Sequence, residues 1–249
     1  MLKKERQSFI LHELNLHNRV LSADLSKRMN VSDDTIRRDL QELSEAGEII
    51  KVHGGAISPA FYNSHSLPKK IYAYEEKKII AKKAVQLIQK GMFVHTTGGT
   101  TIIEMARALP PDLNATFISG SIPALAEYIL HPNIEVIAIG DKVSKNSMIT
   151  VGHEAISKIK DLKADLCFLG INAINLKTGV SDNDWEVAQI KKAMISSAEK
   201  LVCLTISEKL NSQQPIQICD LEKIDMLITE LSPDDAKLKP YADAGITVL

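Results

Sequence analysis

Val31 to Leu40 read VSDDTIRRDL, and the spacing of the apolar residues in and just after this stretch decides the fold of the N-terminal region. Ile36, Leu40 and Leu43 fall at steps of four and three, so on a helix they share one face, which must be the core side. Ser32 is placed to cap that helix, Asp33 and Asp34 occupy the first turn where the helix dipole favours negative charge, and Gly47 ends it. Thr35, Arg37 and Arg38 are then left pointing away from the core.

Working outward, Phe9, Ile10, Leu14 and Leu16 lie between Lys3 and Leu16 with Ile10 and Leu14 four apart and Phe9 and Leu16 seven apart, which predicts an amphipathic helix. A second helix is expected over ADLSKRM, with Ser22 as its N-cap and Leu25 and Met29 four apart. Asn30 and Val31 make the break before the Ser32-capped helix. After Gly47, EIIKVHGGAI reads as two short strands around a Gly54-Gly55 turn. Helix, helix, tight turn, helix and hairpin is the order of a winged helix-turn-helix.

In that arrangement the N-terminal turns of the third helix are free to enter a major groove, where Arg37 and Arg38 can reach bases or phosphates. Residues 1 to 58 hold nine Lys and Arg and nine Asp and Glu. Affinity for DNA must therefore come from segregation, with Lys27, Arg28, Arg37, Arg38, Lys51 and His53 on one side and the acids elsewhere. Ser22, Ser32, Thr35 and Gly54 complete the expected DNA-contacting set. The alternative is that Arg37 and Arg38 pair with Asp34 or Glu42 on a solvated helix face.

The whole chain has 249 residues, formal net charge −1, 45% hydrophobic and 24% charged residues, which is the composition of an ordinary folded protein with an aliphatic core. Near-neutral charge argues against a protein that coats nucleic acid through bulk electrostatics. Cys167, Cys203 and Cys219 stand singly in apolar runs, without the paired spacing of a metal knuckle or disulfide framework, and read as reduced core thiols. The N-terminus is charged every few residues, so neither a signal peptide nor a membrane span is expected, and the expected compartment is the cytoplasm.

Residues 58–74 carry two prolines and little periodicity and read as a linker between a first domain at 1–57 and a second at 75–249. In the second domain, apolar runs of strand length (MFVHT, ATFIS, IEVIAIG, ADLCFLGI, LVCLTIS, DMLIT) alternate with helical segments. Continuous apolar runs are strands buried on both faces, so the fold class is α/β, a mainly parallel sheet flanked by helices.

HTTGGTTIIEMA places Gly98, Gly99, Thr100 and Thr101 between a strand and a helix. Backbone N–H groups at a helix start, with glycine permitting close approach, make an anion site for which phosphate is the natural guest. The stretch is neither a Walker loop nor a dinucleotide fingerprint, so nucleotide hydrolysis and hydride transfer lose support and no cofactor is expected. A plain structural turn with Thr100 as N-cap is the alternative. Asp182, Asn183, Asp184 and Glu186 in VSDNDWEV, with Lys191 and Lys209, are candidates for the remaining ligand contacts, although acids are also favoured at a helix start for structural reasons. His95 and His153 have no ligand spacing, so no metal is expected. Trp185 reads as a packing residue.

These motifs resemble the DeoR family of bacterial transcriptional regulators. The family's recognition helix carries Val-Ser, two variable residues and Thr-Ile-Arg-Arg-Asp-Leu, matched by Val31, Ser32 and Thr35 to Leu40, and its hairpin ends in His-Gly-Gly-Ala, matched by His53 to Ala56. The resemblance implies a sensor domain similar to ribose phosphate isomerase and glucosamine phosphate deaminase, with a phosphorylated sugar or related metabolite as effector and Gly99, Thr100 and Thr101 taking its phosphate. The chain departs from the family where Thr97 and Ile206 stand in place of Asp, and where Ser119, Gly120 and Ser121 stand in place of Thr-Asn-Ser. An effector with an altered polar body is therefore expected, contacting Thr97 and Ser119 to Ser121 as well.

The expectation is a cytoplasmic homo-oligomeric repressor that binds double-stranded operator DNA and senses a small phosphorylated, anionic metabolite. A sugar-phosphate isomerase or deaminase carrying a DNA-binding appendage is the second reading. It requires a poised carboxylate or His, and the loop position that would offer one is Thr97.

Overall fold

Ile36, Leu40 and Leu43 all face inward, and they meet Ile10, Leu14, Leu25 and Met29 in one apolar cluster. The computed structural model describes residues 1–59 and 71–249 and divides the chain into two units, Met1–Tyr72 and Ala73–Leu249. Most of the expected linker at 58–74 lies outside the described residues.

The first unit runs α1 (Lys3–His17), β1 (Arg19–Leu21), α2 (Ser22–Met29), α3 (Asp33–Glu45), β2 (Ile50–Val52) and β3 (Gly55–Ile57). Ser32 caps α3 by accepting from Thr35 N at 3.3 Å. Gly47 follows the helix with φ +73°, a conformation that glycine adopts without penalty. Ser22 does not cap α2. It is the first helical residue, and Leu21 holds the cap position because β1 runs directly into the helix. That strand extends the expected hairpin to a three-stranded sheet in the order β1-β3-β2. Asp39, next to the arginine pair, turns inward instead and holds Arg6 through both carboxylate oxygens, at 2.7 and 3.1 Å.

The second unit begins with α4 (Tyr74–Val85) and continues through β4 (Phe93–Thr96), α5 (Thr100–Arg107), β5 (Thr116–Ser119), α6 (Ile122–Tyr128) and β6 (Glu135–Ala138). A hairpin of β7 (Lys142–Ser144) and β8 (Ile149–Val151) leads to α7 (His153–Asp161) and β9 (Ala164–Gly170). Then come β10 (Ala173–Asn175), β11 (Gly179–Asp182), α8 (Trp185–Ser196), β12 (Ala198–Leu204), β13 (Ile216–Cys219), β14 (Met226–Ile228), α9 (Lys239–Asp243) and β15 (Thr247–Val248).

The main sheet has seven strands in the order β15-β14-β12-β9-β4-β5-β6, and every neighbouring pair is parallel. Cys167 to Leu169 and Leu201 to Leu204 are buried on both faces, as continuous apolar runs in a helix-covered sheet must be. From β4 the chain moves outward through β5 and β6, then returns to the other side of β4 with β9. The order of connection reverses between β4 and β9, and in open α/β sheets that reversal opens a crevice beyond the strands' carboxyl ends. A smaller antiparallel sheet, β10-β11-β13, carries Asp182 at its end.

Candidate functional site

On the first unit, Arg37 and Arg38 are exposed, with side-chain exposures of 69% and 80%. Both reach Asp34: Arg37 is paired with one of its oxygens, and Arg38 Nη2 lies 3.5 Å from the other. The expected segregation of charge is thus incomplete, because an acid sits between the two guanidinium groups. Lys27, Ser32 and His53 are exposed, while Thr35 and Ser22 are half-buried. Arg28 is committed to Glu13 through both oxygens and lies over the Phe9 ring, 5.0 Å from its centroid. Lys51 donates to Gln41 at 2.8 Å. At the hairpin tip Gly54 has φ +76° and its carbonyl accepts from Ser22 N, tying the wing to the start of α2.

An exposed ion pair of this kind is worth less than about 1 kcal/mol. Phosphates or base edges can therefore draw Arg37 and Arg38 off Asp34 at small cost, whereas Arg28 gives up two hydrogen bonds and a ring contact to leave Glu13.

On the second unit the loop after β4 passes directly into α5. Gly99 occupies the cap position with φ +117°, and Thr100 and Thr101 open the helix, both buried. A Cβ on Gly170, at the end of β9, would lie 2.8 Å from the Gly98 carbonyl, so the two loops touch at the switch point. Ser119, at the end of β5, donates to Thr96 O at 2.9 Å and accepts from Ser121 N at 3.2 Å, and Ser121 caps α6. These residues line up along the carboxyl edge of the sheet.

Three candidates converge on one dipeptide. Gly170 N donates to Thr97 Oγ1 at 2.9 Å, Gly170 O accepts from Lys191 Nζ at 2.9 Å, and Ile171 O accepts from Lys209 Nζ at 3.1 Å. Lys191 also pairs with Asp182 at 2.7 Å. The other oxygen of Asp182 accepts from Asn172 Nδ2 and from the backbone N–H groups of Asn183 and Asp184. Burial alone would raise the Asp182 pKa, but the Lys191 charge and these hydrogen bonds outweigh it, so the carboxyl titrates below its ordinary value. Burial, with the like charges of Lys77 and Lys191, pushes the Lys209 ammonium down to about 7. Burial lowers Lys77 to about 8 against the opposing fields of Glu104, Glu76 and Glu208.

Not every candidate joins this cluster. Asp184 caps α8 by accepting from Val187 N, the structural alternative for that acid, and Glu186 pairs with Lys142 at the surface. Trp185 is not a packing residue: it is 65% exposed, because Val187, Ala188, Ile190 and Lys191 take the buried face of α8. His95 lies in the core, near Leu162 O and Ser197 Oγ, and burial lowers its pKa. Cys167 and Cys203 are buried and Cys219 half-buried, and burial raises all three thiols, to about 12 for Cys167 and about 11 for Cys219. Among the described residues no group of three His, Cys, Asp or Glu could hold a metal ion. Lys77 was missed, although its spacing marks it: Lys77, Ile80, Ala81 and Ala84 share the buried face of α4.

A model of the DeoR-like helix-turn-helix domain matches residues 6–60, and a model of the DeoR C terminal sensor domain matches residues 72–231. The chain belongs to the DeoR family. It is 32% identical to the HTH-type transcriptional regulator GolR of Listeria innocua, a match spanning 100% of this chain and 98% of that protein. The HTH-type transcriptional repressor GlcR of Bacillus subtilis is 31% identical over 95% of this chain and 92% of its own. A putative aga operon transcriptional repressor of Escherichia coli O157:H7 is 28% identical, over 98% and 93%. Ribose 5 phosphate isomerase A from Neisseria gonorrhoeae is a distant structural match, TM-score 0.41 and 18% identity over 54% of this chain and 52% of that one. This member of the DeoR family is a DNA-binding transcriptional regulator. Among the described residues no helix is long and apolar enough to cross a membrane.

Proposed function

We propose that this DeoR-family chain is a cytoplasmic repressor of a carbohydrate-metabolism operon, released from its operator by a phosphorylated sugar or a related anionic metabolite. Residues 1–57 form the DNA-reading domain, 58–74 the linker and 75–249 the effector-sensing domain. Arg37 and Arg38 make the principal base or phosphate contacts, supported by Ser22, Lys27, Ser32, Thr35, Lys51, His53 and Gly54, with Arg28 held back by Glu13. The effector's phosphate sits on Gly98 to Thr101, and its body faces Thr97, Ser119 to Ser121, Asp182, Lys191 and Lys209. The reading is carried by the convergence of Thr97, Lys191 and Lys209 on Gly170–Ile171 at the switch point.

The same geometry favours binding over turnover. Thr97 supplies a hydroxyl already engaged with Gly170 N, and Asp182 is saturated by Lys191, Asn172 and two backbone groups, so neither is a free base. One recognition helix makes few base contacts, and useful affinity calls for two or more copies on repeated half-sites. Ile122, Ile129 and Leu130, at and just beyond α6, are exposed apolar residues that a second copy can cover. Effector changes DNA affinity only by binding one arrangement of the copies better than another.

The test is a mobility shift on the DNA upstream of the chain's own gene, with and without a panel of sugar phosphates. The wild type should shift a defined site, and one phosphorylated compound should release it. Unchanged binding by the Arg37→Ala, Arg38→Ala double variant would refute the interface, and a panel in which no phosphorylated compound acts would refute the effector site.

A further inference from the structure

Lys209 is buried, and its ammonium, which carries three N–H donors, has a single acceptor among the described residues, the Ile171 carbonyl. The groups around it do not balance its charge. Lys77 and Lys191, both buried, act on it with the same sign, and Asp182 is the one acid that opposes them. Asp182 is already bonded to Lys191 at 2.7 Å. Glu104, Glu76 and Glu208 act on Lys77 with the opposite sign and Asp182 holds Lys191, so the imbalance lies at Lys209. Thr97 at the end of β4 and Ile206, whose carbonyl accepts from Lys209 N, bring no charge. Buried ammonium groups in excess of buried carboxylates are costly unless something negative enters with them.

The loop from Gly98 to Thr101 begins a helix and offers its backbone donors to one anion, and Lys209 is linked through Ile171 and Gly170 to Thr97, the residue just before that loop. We infer that the effector carries two anionic groups, a phosphate on the Gly98–Thr101 loop and a carboxylate against Lys209, and is a phosphorylated sugar acid rather than a phosphorylated aldose or ketose. This rests on the effector site proposed above. A planar carboxylate accepts both unused N–H groups of Lys209 and supplies the charge the crevice lacks. A sugar carbonyl or hydroxyl at the same place would accept a hydrogen bond and leave the Lys209 charge unbalanced.

The experiment uses the full chain and calorimetric titration with matched probes: gluconate 6-phosphate against glucose 6-phosphate, arabinonate 5-phosphate against arabinose 5-phosphate, and fructose 1,6-bisphosphate. The acid of at least one pair should bind tenfold or more tighter than its parent sugar, and Lys209→Met should erase that gap while the variant keeps its cooperative melting. At pH 8, titration in buffers of differing ionisation enthalpy should show protons taken up with the acid by the wild type and fewer by Lys209→Met. Sugar phosphates binding as tightly as their acids, a gap that survives in Lys209→Met, or a bisphosphate binding tighter than every acid would each overturn the inference while leaving the phosphate loop standing. If none of the phosphorylated probes binds, the effector site itself falls.

Discussion

The two units use positive charge in opposite ways. On α3, Arg37 and Arg38 stand in solvent beside an acid they can leave, and the domain around them is neutral by count. In the second unit, Lys77, Lys191 and Lys209 are buried, and two of them titrate well below an ordinary lysine. An exposed guanidinium loses little by exchanging a surface carboxylate for a phosphate, which suits a polymer that must be met and released. A buried ammonium carries a desolvation cost that a small ligand of the right charge relieves, which suits recognition of one compound.

The comparison breaks most visibly at Asp182. Asp182→Ala leaves Lys191 buried without its partner, and breaking a buried pair this way costs about 3–5 kcal/mol. Urea denaturation of the full chain should show the sensor unit's transition moving to lower urea, with the winged helix unaffected. A change under 1 kcal/mol, on the order expected of a surface pair, would mean that the pair is solvated. Arg37→Ala should do the reverse, leaving stability alone and costing about 1–3 kcal/mol of discrimination between operator and mutated sites if Arg37 reads a base. If Arg37 holds phosphate, competition binding shows a uniform loss and a shallower salt slope.

Lys209 sharpens the contrast through pH. Its folded pKa, near 7, lies below the unfolded value near 10.4, so between those limits the unfolded chain binds more protons and stability rises with pH. The contribution is missing below pH 7 and recovered toward pH 10, with a slope of at most about 1.4 kcal/mol per pH unit. Lys209→Met should flatten the stability profile above pH 7 by that amount, leaving the shallower rise that Lys77 contributes above pH 8. Equal profiles for wild type and variant would place the Lys209 ammonium in water.

The helices of the first unit were legible because Ile36, Leu40 and Leu43 state their period and Ser32 states the start. Strand β1 was not, since three residues are too few to show alternation, and the same strand took the cap position from Ser22. The parallel sheet was legible in its apolar runs, whereas the β10-β11-β13 sheet is built of three- and four-residue pieces with no such run. Gly98 to Thr101, Lys191 and Lys209 were singled out from sequence, but their meeting at Gly170–Ile171 depends on strand order, which local spacing does not encode. Lys77 stands among several lysines in a charged helix start. Only its sharing a face with Ile80, Ala81 and Ala84 distinguishes it. Apolar size does not bury Trp185, because Asp184 caps the helix and Val187, Ala188, Ile190 and Lys191 take its inner face, which turns position 185 outward.

The smallest expected effect bears on the residue between the two arginines. Asp34 is 54% exposed, and its pairs with Arg37 and Arg38 span three and four residues on one helix, a class worth about 0.3–0.5 kcal/mol. Asp34→Ala also forfeits a modest interaction with the helix dipole, so thermal melting should fall only slightly. Its effect on DNA should have the opposite sign. Without the carboxylate, both guanidinium groups are available from the outset and no negative charge opposes the phosphates. Affinity for random-sequence DNA should rise, and the slope of log affinity against log salt should steepen by about one. Asp34 would then lower non-specific binding at little cost in folding. Weaker binding to random DNA in Asp34→Ala would instead mean that the carboxylate orients the arginines for contact, and the exposed cluster would resemble the buried one in needing its acid.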